Sequence, residues 1–190
     1  MHATVLNGFA ETTPFSDEIV KAFTDTFIPL GWTIETIELG KLTLAACRGC
    51  FGCWIKTPGE CIIDDEARNI TRKMIQSNLI VYLSPITFGG YSSTLKQVLD
   101  RSIGILHPYF KKVQGEYHHQ KRYDLYPDIV GLGTLPESDD EMEDVFRKLV
   151  HRNSLNMHCS NYATGILYEN QETESIQSMV GEVLATVGVH

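Results

Sequence analysis

The sequence predicts an α/β protein with a doubly wound, five-stranded parallel sheet of strand order 2-1-3-4-5 and helices on both faces. Strand-like and helix-periodic stretches alternate five times along the 190 residues. The third strand, 79–84, is apolar on both faces, as expected at the centre of a parallel sheet. The chain has no internal repeat, low-complexity segment or linker, so we expect residues 1–190 to form a single domain.

Three strands are predicted in the first half of the chain. ATVL at 3–6 is short and apolar and stops at Asn7-Gly8, whereas TIETIEL at 33–39 alternates between apolar and polar residues. LIVYLS at 79–84 is the buried third strand. Because strands of one parallel sheet cannot follow each other directly, a helix is expected between each pair.

The intervening helices are predicted from apolar residues at helical spacing. The first helix presents Ile19, Val20, Phe23 and Phe27 on one face. The second begins at the acidic run Asp64-Asp65-Glu66, where the helix dipole favours negative charge. It continues through Ala67, Ile70 and Met74.

The second half of the chain supplies two more strands and three helices. A helix is predicted over 95–106, a fourth strand over 128–134 and a fifth over 162–169. Ser138 and Glu141 have the spacing of a capping box, which predicts a helix start there. The segment 104–127 fits neither pattern and is expected to be an irregular or helical insertion. The last helix carries Ile176, Met179, Val180, Val183, Leu184 and Val187.

Composition narrows the classes of function. The net charge of −8 disfavours binding to nucleic-acid phosphates and to anionic membranes. No apolar run is long enough to span a bilayer, and the N-terminal residues lack a secretory pattern, so we expect a cytoplasmic location. The basic and aromatic stretch 110–123 is interrupted by Glu116, which favours a surface loop or crossover over a polyanion site.

Three loops are expected at the carboxyl edge of the sheet, where ligands bind in such folds. The first, NGFAETTPFS, leads into a helix N-terminus, which suits a phosphate. Thr12, Thr13 and Ser16 add hydroxyl groups there, and the alternative for Ser16 is a role as the helix cap alone. The loop lacks the G-x-x-x-x-G-K-[ST] pattern, so nucleotide triphosphate hydrolysis has no support.

The loop after the third strand, SPITFGG, is expected to offer backbone groups to the polar edge of a planar ring. The alternative is a tight turn with a core-packed Phe88. The loop after the fourth strand, GLGTLPES, completes the expected site. The candidate binding residues in these two loops are Ser84, Pro85, Ile86, Thr87, Phe88, Gly89, Gly133 and Thr134.

The segment SPITFGGYSSTLKQVLDR at 84–101 resembles the pattern S-P-V-Y-F-x-x-x-S-x-x-L-K-x-x-x-D-R of the NADPH-dependent FMN reductase family. CIIDD at 61–65 resembles that family's cysteine followed by an acidic pair. The matching residues of the first segment are Ser84, Pro85, Phe88, Ser92 or Ser93, Leu95, Lys96, Asp100 and Arg101.

The resemblance implies a flavodoxin-like fold that binds FMN non-covalently and forms homodimers or homotetramers. It also implies NAD(P)H as an electron donor, with the first loop on the phosphate and the later loops on the isoalloxazine. Three positions depart from the family pattern. Phe9 and Glu11 stand where the family has Ser and Arg, and Thr87 replaces the usual Tyr.

Four of the five cysteines lie in the segment 47–61, with the spacing Cys-x2-Cys-x2-Cys-x7-Cys. Soft thiolates select zinc, copper(I) or iron–sulfur clusters, and two-residue gaps are typical of loops that hold a [4Fe–4S] cluster. The spacing also resembles that of iron–sulfur flavoproteins, a branch of the same family. A zinc site and metal-free thiols remain alternatives. The candidate ligands are Cys47, Cys50, Cys53 and Cys61.

The remaining candidate ligands have simpler interpretations. Cys159 is far away in the sequence and is expected to be a buried core residue. His107, His118 and His119 have no acidic or cysteine partner at metal-binding spacing, so we expect solvated or interface positions for them.

The predicted function is an FMN-dependent oxidoreductase, acting as an NAD(P)H-linked reductase or in electron transfer of the iron–sulfur flavoprotein type. Its partners would be small-molecule or protein electron donors and acceptors. A pure electron carrier would bind FMN without oxidising NAD(P)H. The alternative from another class is a non-enzymatic binding module with the same scaffold and a structural zinc knot.

Overall fold

The computed structural model describes all residues from 1 to 190. The strands, in chain order, are β1 (His2–Asn7), β2 (Thr33–Glu38), β3 (Leu79–Pro85), β4 (Leu106–Val113), β5 (Glu116–Lys121), β6 (Asp128–Leu135) and β7 (Tyr162–Tyr168). The helices are α1 (Pro14–Phe27), α2 (Gly52–Ile55), α3 (Glu66–Gln76), α4 (Ser93–Arg101), α5 (Asp140–Asn156) and α6 (Thr173–Thr186). Two short 3₁₀ turns lie at Leu39–Lys41 and Ser102–Ile105.

The main sheet has five parallel strands in the order β2-β1-β3-β6-β7. Counted within this sheet alone, the order is 2-1-3-4-5, as predicted. β3 lies at its centre and is buried along almost its whole length. The carboxyl ends of β1, β2 and β3 therefore meet at one edge, which places the loops that follow them side by side.

Helices cover both faces of the sheet. On one face α1 and α6 pack through Phe23, Phe27 and Val180 against Val5 and Val81. On the other face α3, α4 and α5 pack against the opposite side chains of the same strands. Their buried contact residues include Ile70, Met74, Leu95, Val98, Phe146 and Val150. None of the helices combines the length and the apolar character needed to cross a membrane.

Two of the predicted helix boundaries are wrong. Helix α5 is capped by Asp139, whose side chain accepts the Met142 amide at 3.0 Å, so Ser138 does not form the predicted capping box. The Ser138 hydroxyl instead donates to Glu143 at 3.2 Å. Helix α4 ends at Arg101 and gives way to a 3₁₀ turn, so the helix predicted over 95–106 is shorter than expected.

The segment 104–127 is neither irregular nor helical, as was predicted, but contains an antiparallel hairpin of β4 and β5. Its two-residue turn, Gln114-Gly115, has positive φ at both positions (48° and 88°). Positive φ at both central residues matches the right-handed twist of a hairpin. The sequence concealed this turn because glutamine rarely adopts that conformation, so no Asn-Gly or Asp-Gly signal was present.

Candidate functional site

The loop between β1 and α1 is organised by hydrogen bonds to its own helix. Thr13 is the N-cap, and its side chain accepts the Ser16 amide at 3.1 Å. The buried Ser16 hydroxyl accepts the Thr13 amide at 2.9 Å and donates to the Thr13 carbonyl at 2.9 Å. Ser16 is therefore the third helical residue rather than the cap, and its hydroxyl is committed to the first turn.

The middle of this loop leaves backbone donors free. The amides of Ala10, Glu11 and Thr12 donate no hydrogen bond within the chain, and all three residues are exposed. The Thr12 hydroxyl donates to Glu38 at 3.4 Å, and the Asn7 side chain donates to the same carboxylate oxygen at 2.9 Å. Three successive free amides just ahead of a helix N-terminus are candidate donors for an anion, and residues 10–12 are called the cradle below.

The 3₁₀ turn after β2 packs directly on the cradle. A Cβ atom added at Gly40 would lie 2.1 Å from the Ala10 carbonyl oxygen and 2.5 Å from that of Phe9. Only a residue without a side chain allows this approach. Gly40 therefore fixes the position of the first loop relative to the connection that leads into the cysteine segment.

Two serines join the loop after β3 to the first loop. The buried Ser84 hydroxyl accepts the Ser92 amide at 2.8 Å. The Ser92 hydroxyl caps α4 through the Leu95 amide at 3.2 Å and donates to the Gly8 carbonyl at 2.6 Å. Ser84 and Ser92 thus hold β3, α4 and the first loop together, and their hydroxyl groups are not free for a ligand.

The tip of the loop after β3 is a tight turn closed by reciprocal backbone bonds between Thr87 and Gly90, at 3.0 and 2.9 Å. Phe88 and Gly89 both have positive φ (49° and 73°), and Phe88 is 93% exposed. The alternative of a core-packed Phe88 is therefore wrong. The amides of Phe88 and Gly89 donate no hydrogen bond within the chain, and strained backbone at such a position is typical of binding sites.

The loops 10–13 and 86–90 at the carboxyl edge of the sheet form what is called the rim below. The other predicted binding residues at this edge lie deeper in the protein. Ile86 is buried, and its amide donates to the Thr134 carbonyl at 2.9 Å. Gly133 and Thr134 lie within β6, paired with β3 on one side and β7 on the other, and not in a loop. The strand extends to Leu135, so these two residues support the rim from below rather than offering free backbone groups to it.

The four cysteines lie close together in one segment, but their sulfur atoms do not point toward a common centre. Cys47 and Cys50 are exposed, Cys53 is buried in α2, and Cys61 is half-buried. No three Cys, His, Asp or Glu side chains stand in a geometry that would hold a metal ion. Burial raises the pKa of Cys53, and the thiols of Cys61, Cys47 and Cys50 raise it further. The four sulfurs are therefore close enough to interact electrostatically.

A buried ion pair lies at the base of this segment. Arg101, at the end of α4, binds both carboxylate oxygens of Asp65 at 2.8 and 2.9 Å, and Asp65 is also the N-cap of α3. The sequence predicts a helix start at Asp65 and places Arg101 in a family pattern, but it does not indicate that the two residues form a pair. Asp65 lies in the segment 61–65 and Arg101 in the segment 84–101, and both segments match the family pattern. This shared match was the one feature of the sequence that could have suggested a contact between the two residues.

This pair predicts acid sensitivity. The hydrogen bond from Arg101 lowers the pKa of Asp65, against the opposing effect of burial. A carboxyl group whose pKa is lowered on folding stabilises the protein above its unfolded pKa of about 3.9, and this contribution is lost as the pH falls through the lower folded value. We therefore expect the stability difference between the wild type and Asp65→Asn to be constant from pH 7 to 5.

The measurement is denaturant unfolding at a series of pH values. The difference should begin to shrink below about pH 4, where Asp65 of the unfolded wild type takes up a proton, and should go on shrinking as the pH falls through the lower folded pKa. A difference that stays constant down to pH 2 would show that the charge of Asp65 does not contribute. Asp25→Asn, in an exposed pair with Lys21, is the control and should show no such trend.

The hairpin docks on the cysteine segment through Trp54. The Trp54 indole donates to the Leu106 carbonyl at 2.9 Å, and its ring lies between those of Phe51 and His119. His119 also bonds the His107 carbonyl at 2.7 Å. His118 is buried beside Glu116 at 3.2 Å, so it is not solvated, and the other predicted position, at an interface, stays a prediction.

Cys159 lies apart from this segment. It packs against the core beneath α5, and burial raises the pKa of its thiol to about 12. No group of three potential metal ligands includes Cys159. The prediction of a buried core cysteine is confirmed only in part, because Cys159 packs against the core but remains partly exposed.

Comparisons with known proteins give the family. The profile of the family described as NADPH-dependent FMN reductase matches residues 1–115, which is more than half of the chain. The chain belongs to the NADPH-dependent FMN reductase family. This membership confirms the resemblance drawn from 84–101 and 61–65.

Parts of the chain are also similar to individual iron–sulfur flavoproteins. An iron–sulfur flavoprotein of Methanocaldococcus jannaschii is 40% identical over 72 residues, covering 38% of this chain and 36% of that protein. An iron–sulfur flavoprotein of Methanosarcina thermophila is 26% identical over 103 residues, covering 54% of this chain and 53% of that protein. The matched parts thus span between a third and about half of the length of these relatives.

The fold has solved counterparts. An NAD(P)H:quinone oxidoreductase from Methanothermobacter marburgensis superposes with a TM-score of 0.72 at 15% identity, covering 100% of this chain and 97% of that one. At this identity the likeness concerns the fold. It extends over the whole chain, including the part beyond residue 115 that the family profile does not match.

The rim of this FMN reductase family member fits a flavin mononucleotide in its donor chemistry. The free amides of Ala10, Glu11 and Thr12 suit the phosphate, and those of Phe88 and Gly89 suit the polar edge of the ring. The Glu11 side chain is exposed to solvent, so the family departure at this position does not fill the cradle. The Phe88 side chain is exposed, so it does not itself plug the rim.

The cysteine segment fits an iron–sulfur cluster in its donor set. Four thiols with two-residue gaps are the ligands such clusters use, and all four lie within one stretch. Gly49 and Gly52 both stand between cysteines, and Gly49 has a positive φ of 62°, which permits a tight turn there. The exposed Cys47 and Cys50 must turn inward toward Cys53 for all four sulfurs to bind one group.

Proposed function

We propose that this chain is an FMN-dependent oxidoreductase that takes electrons from NAD(P)H and carries a [4Fe–4S] cluster on its four-cysteine segment. The observation that carries the flavin part is the pair of adjacent loops with unused amides, at 10–12 and 88–89. The cluster part is supported by the cysteine spacing and by the similarity to iron–sulfur flavoproteins.

In this proposal the chain contributes binding and orientation. Ala10, Glu11 and Thr12 hold the FMN phosphate through their amides, helped by the positive end of α1. Thr13 shapes this loop as the helix cap, and Phe88 covers the ring. Bound FMN supplies hydride and single-electron chemistry that no side chain provides. Cys47, Cys50, Cys53 and Cys61 would hold the cluster.

An anaerobic absorbance spectrum with iron and sulfide analysis tests both groups. Flavin bands, with four iron atoms per chain after anaerobic purification, are the expected result. Flavin without iron would favour a cluster-free NAD(P)H reductase, for which the unconverged thiols are the supporting observation. Absence of flavin after incubation with excess FMN contradicts the proposal, and zinc in its place favours a binding module with a zinc knot.

An NAD(P)H oxidation assay separates a reductase from an electron carrier. With a quinone or free flavin as acceptor, the FMN-loaded protein is expected to oxidise NAD(P)H catalytically. A protein that keeps its FMN but consumes no NAD(P)H is a carrier that exchanges electrons with other partners. We propose that the electron donors and acceptors are small molecules or proteins. We also propose a cytoplasmic location.

We propose that the protein is a homodimer or homotetramer, because the rim leaves one side of a bound flavin open. Ala10, Glu11, Thr12 and Phe88 are all exposed, so a second chain is the natural cover for the ring. Light scattering coupled to gel filtration, with and without FMN, tests this. A monomer at all concentrations with tightly bound FMN would contradict it.

Phe88→Gly is expected to weaken FMN binding while sparing the fold. The substitution removes a ring that is 93% exposed and relieves a left-handed backbone, so the free energy of unfolding should stay equal or rise by up to about 1 kcal/mol. Loss of an aromatic contact with the flavin should reduce affinity about three- to tenfold. Flavin fluorescence titration measures it.

Gln114→Gly is the matched control for this variant. Gln114 has nearly the same backbone conformation (φ 48°) but lies at the hairpin turn. It should gain stability in the same way and bind FMN as the wild type does. If both variants bind FMN normally, Phe88 does not contact the flavin.

A further inference from the structure

Arg101 is the most completely bonded charged residue in the cysteine region. Its side chain is 1% exposed, although it carries a full positive charge. A guanidinium group has five N–H donors, and each of them has an acceptor here. Nε donates to Cys61 Sγ at 3.1 Å, Nη1 to the Ala45 carbonyl at 2.6 Å and Asp65 at 2.9 Å, and Nη2 to the Ile63 carbonyl at 3.1 Å and Asp65 at 2.8 Å.

All these acceptors lie at the two ends of the cysteine segment. Ala45 precedes it, and Cys61, Ile63 and Asp65 close it. The Ala45 amide also donates to Asp65 at 3.0 Å, so the two ends are tied to each other as well as to α4. Arg101 therefore holds the two ends of the segment together through hydrogen bonds. It makes no hydrogen bond to the stretch with Cys47, Cys50 and Cys53.

One of the five bonds does more than hold backbone in place. The Nε–H bond ends on the Cys61 sulfur, a ligand candidate, whereas the others end on carbonyl or carboxylate oxygens. An N–H donor and a fixed positive charge at a ligand sulfur stabilise the more negative, reduced form of an iron–sulfur group. No other side chain donates to a cysteine sulfur in this structure.

We infer that Arg101 is a positioning residue that orients the Cys61 sulfur and raises the reduction potential of the cluster on the four-cysteine segment. This inference rests on the proposed function, since it assumes that the segment holds a cluster. Reduction adds one electron, supplied by the NAD(P)H-reduced flavin of the proposed enzyme, and no bond to protein is made or broken. Arg101 stays protonated and contributes its charge and its Nε–H bond in both redox states.

The test compares Arg101→Lys with Arg68→Lys. Lysine keeps the charge at position 101 but loses the fork that reaches sulfur and carboxylate together. Arg68 is the matched control, because it binds the same stretch through the Cys61 carbonyl at 2.6 Å and the Ile62 carbonyl at 3.1 Å without touching sulfur. All proteins are loaded anaerobically with ferrous iron and sulfide, and iron per chain and midpoint potential are measured.

For Arg101→Lys we expect wild-type iron content and a reduction equilibrium at least tenfold less favourable, a midpoint potential lower by about 59 mV. Arg68→Lys should change the equilibrium less than threefold. An unchanged potential in fully loaded Arg101→Lys overturns the inference, as does equal loss of iron in both variants, which indicates a merely structural role. Iron loss in Arg101→Lys alone also contradicts the expected result, because a purely structural role of the buried Arg101–Asp65 pair predicts the same loss.

A second measurement does not require the Arg101 variant to fold. In metal-free protein labelled with ¹⁵N-arginine, the Arg101 Nε–H should exchange with water at least tenfold more slowly than in Cys61→Ala, where the acceptor is gone. Equal exchange rates contradict the bond and overturn the inference. Wild-type protein that takes up no iron contradicts the proposed cluster, and the inference falls with it, whereas iron-loaded protein with an unchanged potential contradicts the inference alone.

Discussion

Gly40→Ala is expected to weaken FMN binding more than tenfold and to lower the free energy of unfolding by about 1–3 kcal/mol. The added methyl group would lie 2.1 Å and 2.5 Å from the carbonyl oxygens of Ala10 and Phe9. Both obstacles are backbone atoms, so they cannot move aside as a flexible side chain would. The first loop must shift, and its free amides at 10–12 shift with it.

Flavin fluorescence titration and denaturant unfolding measure the two effects. Gly181→Ala is the matched control, because Gly181 lies in α6 and a Cβ atom added there would have no other part of the chain within 4 Å. Alanine there should raise stability by about 0.5–1 kcal/mol and leave FMN affinity unchanged. If Gly40→Ala binds FMN as tightly as the control does, the first loop does not hold the phosphate.

Asp65→Asn is expected to cost about 3 kcal/mol of stability at pH 7. The variant keeps the shape of the side chain and an N-cap of comparable quality, but it leaves the buried Arg101 charge without its counter-ion. Asp65 itself is 17% exposed, which places the expected loss at the lower end of the range for buried pairs. The cysteine segment should loosen first, because Asp65 also accepts the Ala45 amide.

Urea unfolding measures the loss, and amide hydrogen exchange at Ala45 and Ala67 locates it. Asp25→Asn breaks the exposed i,i+4 pair with Lys21 and should cost less than about 1 kcal/mol. Wild-type stability in Asp65→Asn would mean that the Arg101–Asp65 pair does not hold the segment. The inferred effect of Arg101 on the reduction potential would then lose its structural basis.

The order of the main elements was predictable because each strand carries its own local signal. The five strands were placed within two residues of their observed ends, since apolar period and turn residues mark them directly. The family pattern at 84–101 was equally readable. Features that depend on the conformation or the partner of a single residue could not be predicted. The Gln114-Gly115 turn hid the hairpin, and Asp139 rather than Ser138 took the cap of α5.

The candidate site was predictable in place but not in detail. Residues 10–13 and 84–89 lie at the carboxyl edge as expected, because topology alone brings those loops together. The use of each side chain depends on its partners. The hydroxyl groups of Ser16 and Ser84 are taken up by neighbouring backbone, while Phe88 stands in solvent. The Gly133-Thr134 pair belongs to β6 because the strand continues past it.

The sequence by itself determined the alternating α/β plan, the family and the concentration of four thiols in one segment, because all three are encoded in neighbouring residues. Only the tertiary structure decided that Gly40 meets Ala10 and that Arg101 joins Asp65 and Cys61. These contacts link residues that are 30 or more positions apart. Their existence depends on how helices and loops pack on the sheet, and no local pattern in the chain encodes that packing.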